Sequence, residues 1–304
     1  MLKTCVDDHV WLVHQPDHAR VAGYLAAHWG GSGDFVKPGH YVPSPHAELF
    51  RQEVVHAIAE HDNGWWEWEA SPSIDLSDHL PLSLQQQGSQ NHDEGLKRWR
   101  LGVPRFIESH PYISLLISLH SYWLYAFAFE DASNEEAFRH PLFGSSASIR
   151  KLVPDPELLQ EFLAEQQRIQ AKLKGRLQQD PVWGRALDQS QLLPAVRLLQ
   201  LMDALSLLLC FGGQQQRRLI DIPRSSWDDR IAIDWMPGEK RRIVCDPYPF
   251  DKDPLEVFLP ARIIPADPTG IDDAASAADD SGCPITRLYS MPLQFIRFEL
   301  TSQS

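Results

Sequence analysis

The chain has 304 residues and a formal net charge of −13, with 43% hydrophobic and 23% charged residues. This is the balance of an ordinary globular protein, long enough for one large domain or two ordinary ones. The acidic excess excludes a general basic face for nucleic acid, whose affinity rests on neutralising phosphates. Four scattered cysteines at 5, 210, 245 and 283 have no CxxC spacing, which argues against a disulfide framework or zinc knuckle and suits a reducing cytoplasm. The N-terminal run MLKTCVDDHV lacks the apolar stretch of a signal peptide. The longest apolar runs are interrupted by His, Ser or Asp, so no membrane helix is expected.

Residues 9–14, HVWLVH, alternate weakly and predict a short strand. A helix follows Pro16-Asp17, with His18, Val21, Ala22 and Leu25 on one face and Gly30-Gly31 past its end. A second helix is expected over 46–62: counting back from His61 gives Ile58, Ala57, Val54 and Phe50, one helical face. Asn63-Gly64 is read as its stop. Residues 63–95 show little periodicity and predict a long surface loop. Helices are expected near 96–108, from Pro111 through PYISLLISLHSYWLYAFAFE, from Asp155-Pro156 to about 178, and over 190–211 before Gly212-Gly213. Residues 131–153 read as mostly loop. After about 216 come short β-rich runs: RLIDI, RIAIDW, RRIVC, LEVFLPARII, TRLYS and LQFIRFEL. The acidic run 267–282 interrupts them. The expected organisation is a helical region over 1–215 and a β-rich segment over 216–304 packed on it.

Polar residues recur in the apolar stripes. His18 lies on the first helix, and His61-Asp62 ends the second. His120 has Leu116, Trp123, Leu124 and Phe127 on its face. Asp203 has Val196, Leu199, Ser206 and Cys210 on its own. A lone histidine in such a stripe is more often a hydrogen-bonded core residue. An ionised aspartate there is rarely tolerated without a partner. Together the imidazoles and carboxylates form a donor set that suits a divalent Mn, Fe, Co, Ni or Zn ion, and Mg less readily. A second His-Asp dipeptide, His92-Asp93, has no apolar stripe and reads as solvated loop. Trp65, Trp66, Trp68 and Trp99 cluster near His61-Asp62 as core packing or as an aromatic wall. Lys97, Arg98 and Arg100 form the densest basic run, read as a solvated face ahead of a phosphate site. Arg20 and Arg197 are weaker candidates for the same role, and Ser206 is placed to hydrogen-bond the Asp203 carboxylate. There is no GxSxG, P-loop or GxGxxG motif.

The order H…HD…H…D on successive helices resembles the HD superfamily of metal-dependent phosphohydrolases, and in particular a bacterial branch that forms a domain of unknown function. The runs QPDHARVAGYLAAHWG, VVHAIAEHDNGWWEWEASPSIDL, PYISLLISLHSYWLY, LLQLMDALSLLLCFGG and DPYPFD carry the resemblance, over roughly residues 9–260. It implies a mainly α fold: an HD-type helical bundle with a small antiparallel sheet from the C-terminal region, which an N-terminal strand can join. It implies that His18, His61, Asp62 and Asp203 hold one divalent metal ion. His120 then serves as a further ligand, as a phosphate contact or as proton donor to the leaving oxygen. Asp62 or Asp203 orients the attacking water. Dinuclear members have two histidines between the HD pair and the last Asp. Here His79, His92 and His110 fall in loop or at a helix edge, so one ion is expected.

The resulting expectation is a cytoplasmic phosphohydrolase or phosphodiesterase acting on a small phosphorylated substrate, with exposed strand edges offering a homodimer contact. Two alternatives stand beside it: an HD-type di-iron oxygenase, and a non-catalytic binding protein with a vestigial metal site.

Overall fold

A computed structural model describes residues 1–31, 34–78, 80–84, 86, 93–129, 136–143, 145–265 and 288–303. The chain opens with a hairpin of β1 (Leu2–Val6) and β2 (His9–Val13). Pro16 in the first turn then starts α1 (Gln15–Ala27), as suits a residue whose missing N–H would be unpaired there anyway. Next come α2 (Ala47–Ala59), a 3₁₀ turn at Asn63–Trp65 and α3 (Trp66–Ala70). They are followed by α4 (Glu94–Gly102), α5 (Pro111–Ala126) and α6 (Ser146–Leu152). The helical region closes with α7 (Pro156–Gln178), α8 (Trp183–Ala186) and α9 (Gln189–Cys210). The remaining strands are β3 (Arg217–Pro223), β4 (Arg230–Pro237), β5 (Arg242–Asp246), β6 (Leu255–Pro265) and β7 (Gln294–Thr301).

The sheet overturns the expectation of a mainly α chain with a small antiparallel sheet. Among the described residues it has seven strands in the order β1-β2-β6-β7-β5-β4-β3, and it is mixed, because β7 pairs antiparallel with β6 and parallel with β5. The physical reason is topological. The step from β5 to β6 skips one place, and β7 fills it in the direction of β5. On β6, Leu255, Val257, Leu259 and Ala261 are buried while Glu256 and Phe258 face out, the period of two that a strand packed on one face requires. Helix α1 packs on β6, and α9 packs on β3. The N-terminal hairpin joins through β2–β6 pairing, so the first and last thirds of the chain share one sheet. Of the predicted strand TRLYS, residues 286 and 287 lie outside the described set, and Leu288–Ser290 is a helical turn.

Helix α9 runs through the middle. Among the described residues it is the helix long and apolar enough to cross a membrane, and 94% of its apolar window is buried inside this fold. Gly212 and Gly213, both at positive φ, end it, in the left-handed conformation that a residue without Cβ adopts at least cost.

Two local expectations change. Helix α2 ends at Ala59, so His61-Asp62 sits in the turn beyond it, and residues 63–70 are helical where a loop was expected. Gly64 is no helix stop by conformation, since its φ is not positive. It is small because α4 crosses it: a Cβ there would lie 2.0 Å from the Arg98 carbonyl oxygen. Gly64→Ala is expected to cost at least about 1–3 kcal/mol, the usual range for overpacking, because backbone cannot yield as a side chain can. Urea denaturation measures this, and an unchanged midpoint would refute the close-approach argument.

Candidate metal centre

Six side chains converge where α1, the α2–α3 turn, α5 and α9 meet. His18, on α1, is 1% exposed and places Nε2 2.8 Å from Asp62 Oδ2. His61 places Nε2 3.5 Å from Asp203 Oδ1 and 3.8 Å from Asp62 Oδ2. His120, on α5, holds Nε2 3.4 Å from Asp203 Oδ2. His140, in the segment before α6, holds Nε2 3.2 Å from the same oxygen. The rings of His18 and His61 meet edge-on at 5.1 Å, and those of His61 and His120 at 5.4 Å. The five residues named from the sequence are therefore brought together. Ligand atoms of His18, His61 and Asp62, and likewise of His61, His120 and Asp203, lie within 4.8 Å of one another, and every one of these residues is buried.

His140 was not legible. It follows a stretch with no helical stripe, and only such a stripe flagged the other histidines. Of the remaining candidates, His79 and His92 lie outside the described residues. His110 pairs with Glu53 at 2.7 Å and stacks near His56, apart from the cluster.

Hydrogen bonds assign the ring protons. The Ser206 hydroxyl donates to the Asp203 backbone carbonyl at 2.9 Å, so it accepts from His18 Nδ1 at 2.9 Å. This corrects the expected bond from Ser206 to the Asp203 carboxylate. His61 Nδ1 donates to the Ile58 carbonyl at 2.8 Å. When neutral, both rings therefore turn an Nε2 lone pair toward the carboxylates. His140 is the reverse. Its Nδ1 accepts from the backbone N–H groups of Leu142 and Phe143, both at 3.2 Å, so a neutral His140 carries its proton on Nε2. His120 has no hydrogen-bond partner at either nitrogen among the described residues, and His61 Nε2 and His140 Nε2 have none either.

The donor set fits a divalent ion. A lone pair on His18 Nε2 facing a carboxylate oxygen at 2.8 Å needs a positive charge shared between them. Buried nitrogens without partners are costly unless something satisfies them. Burial alone would push the His61 imidazole down, but Asp62 and Asp203 outweigh it and hold it up at about 9. Burial would raise the Asp203 carboxyl, yet the surrounding imidazoles hold it well below the usual carboxylate range. His120 is pushed down by its burial. These are the marks of a buried, cation-seeking cluster. Ser206→Ala is expected to loosen the His18 ring and to weaken binding of a divalent ion about 10–100-fold; competition with a colorimetric chelator reads this, and undiminished affinity would remove Ser206 from the orienting role.

The basic candidates are otherwise engaged. Lys97 pairs with Asp93, Arg98 with Glu94 and Arg100 with Glu165. Arg20 lies over the Trp66 ring. Arg197 is buried and donates to the carbonyls of Arg139, Ile220 and Asp221. Asp75 binds Ser77, Gln86 and Lys3 in a turn. Trp65 and Trp99 line a cavity of about 800 Å³ whose floor includes His18, Asp62 and Asp203.

Fold and site together define an α+β protein with a buried histidine–aspartate cluster, within metal-binding distance, at the base of a cavity. The chain belongs to the family DUF3891, described as proteins of unknown function, whose profile matches residues 1–266. No curated protein and no solved structure matches it.

Proposed function

We propose that this protein is a metal-dependent phosphohydrolase or phosphodiesterase of HD-superfamily type. One observation carries the reading: two carboxylates and three imidazoles, with His61 and His120 nitrogens left without partners, converge under an open cavity. His18 Nε2, His61 Nε2, Asp62 and Asp203 would hold the ion. A divalent ion there supplies Lewis acidity toward a phosphoryl oxygen and lowers the pKa of a water. The Asp62 carboxylate, which lines the cavity, accepts a proton from the attacking water. His120, whose nitrogens have no partner among the described residues, would hydrogen-bond the phosphoryl group, and the proton taken up by Asp62 passes on to the leaving oxygen. His140, when neutral, carries its proton on Nε2, 3.2 Å from Asp203 Oδ2, and so orients that carboxylate by its charge distribution rather than serving as a ligand.

That last point weighs against the second reading, a dinuclear oxygenase centre, which needs both His120 and His140 as ligands. Elemental analysis of the purified protein, with a panel of p-nitrophenyl mono- and diesters, tests both. One ion per chain and hydrolysis of a phosphoester are expected. His140→Ala is expected to keep its metal while losing activity about tenfold to a hundredfold, the range for a partner of a ligand. Two ions in the wild type and one in His140→Ala would favour the dinuclear reading. A metal-free protein inert on the whole panel would overturn the proposal.

A further inference from the structure

The cavity above the cluster is built for an apolar body. Its walls are formed by Trp65, Trp99, Leu124, Val153, Leu207 and Phe211, and its volume falls in the range of small-molecule pockets. Beyond the His/Asp floor the buried walls offer little polar chemistry among the described residues. Gln15 is one exception: it lines the cavity, is 2% exposed, and its Oε1 has no hydrogen-bond partner among the described residues. Gln15 stands one helical turn before His18, so this acceptor lies close to the reacting end. At the mouth, Arg150 and Lys151 of α6 are exposed, a local positive rim on a chain of net charge −13. Such a rim draws anions in against the overall field.

We infer that the substrate is an organic phosphoester with a largely apolar alkyl or aromatic body and a hydrogen-bond donor, such as a hydroxyl, near the phosphoryl group. This rests on the phosphohydrolase reading for the identity of the head group; the apolar body is argued from the walls alone. A nucleotide fits poorly, because its base and sugar would bury many donors and acceptors against carbon, each costly without a partner. The anionic head reaches the floor, the body lies along Leu124, Val153 and Leu207, and Gln15 Oε1 accepts from the hydroxyl.

Calorimetric titration of the protein as purified with ethyl, butyl, hexyl and octyl phosphate, inorganic phosphate and AMP provides the test. Affinity is expected to rise roughly three- to fourfold per methylene, the value for burying a CH₂ group, with AMP binding no tighter than inorganic phosphate. A flat series, or AMP binding more tightly than octyl phosphate, would overturn the inference. Leu124 is only half-buried, so Leu124→Glu is expected to keep its metal and circular dichroism while flattening the series; an unchanged slope in a folded variant counts against the wall assignment. Gln15→Leu is expected to weaken 2-hydroxyoctyl phosphate and spare octyl phosphate, and equal effects on both would remove Gln15. The two readings fail separately. A protein that shows the chain-length slope but holds no metal and hydrolyses nothing keeps the apolar ligand and loses the phosphohydrolase.

Discussion

Asp203→Ala is expected to abolish retention of a divalent ion, lowering affinity by at least about a hundredfold, since removing a mere partner of a ligand already costs 10–100-fold. Four imidazoles approach this carboxylate, His18 and His61 at Oδ1 and His120 and His140 at Oδ2, so no other residue of the cluster is as widely shared. The effect also has a thermodynamic readout. With free ion at about a hundred times its Kd, the wild type gains about 2.7 kcal/mol over the chelated protein, and Asp203→Ala at most about 0.4 kcal/mol. The measurement is a pair of melting curves, with metal and with chelator, for each protein. A variant that keeps its ion and its chelator response would remove Asp203 from the centre. Phosphoesterase activity should vanish with the ion.

Arg197→Ala should be the most damaging change away from the cluster. The guanidinium is buried and reaches the carbonyls of Arg139, Ile220 and Asp221 and the Gln200 side chain. Gln200 in turn donates to the Phe138 carbonyl. These bonds tie the segment carrying His140 to α9 and to β3. Truncation leaves three carbonyls without a charged donor, and bonds to charged groups are worth roughly 1.5–3 kcal/mol each. Allowing for non-additivity, a loss of about 3–5 kcal/mol in urea denaturation is expected, together with lower activity because His140 is no longer held in place. Arg197→Lys should rescue little, since an ammonium cannot reproduce the planar fork. A loss below about 1 kcal/mol would mean that water replaces the guanidinium and that the tie is dispensable.

The parts of the site legible in the sequence were those written in helical periodicity. His18, His120 and Asp203 each interrupt an apolar stripe, and an interruption of that kind is a local signal. His61-Asp62 was found for a related reason, although it stands beyond the end of α2. His140 gave no such signal. Its position depends on Arg197 and Gln200, some sixty residues away, and contacts of that range leave no mark on local pattern. The sheet divides the same way. The short β-rich run LEVFLPARII identified β6 as a strand, but nothing in either segment states that β7 enters between β6 and β5. The role of Gly64 was misread because its neighbour, the Arg98 carbonyl, comes from a helix thirty-four residues on. The basic run at 97–100 is read from the sequence as a solvated face; in the fold its charges are met by Asp93, Glu94 and Glu165, and the Arg98–Glu94 pair is largely buried.

The place of β7 has a consequence for how the protein assembles. Among the described residues six strands precede it in the chain, and without it they fall into two three-stranded pieces, β1-β2-β6 and β5-β4-β3, each with an unpaired edge where β7 belongs. Until that strand arrives, β6 and β5 present open hydrogen-bonding rows of the kind that invite pairing with another chain. The strand that joins the halves does so through contacts distant in sequence, which close slowly. Before β7 docks, therefore, the described strands stand as two separate sheets, whatever helices are already packed.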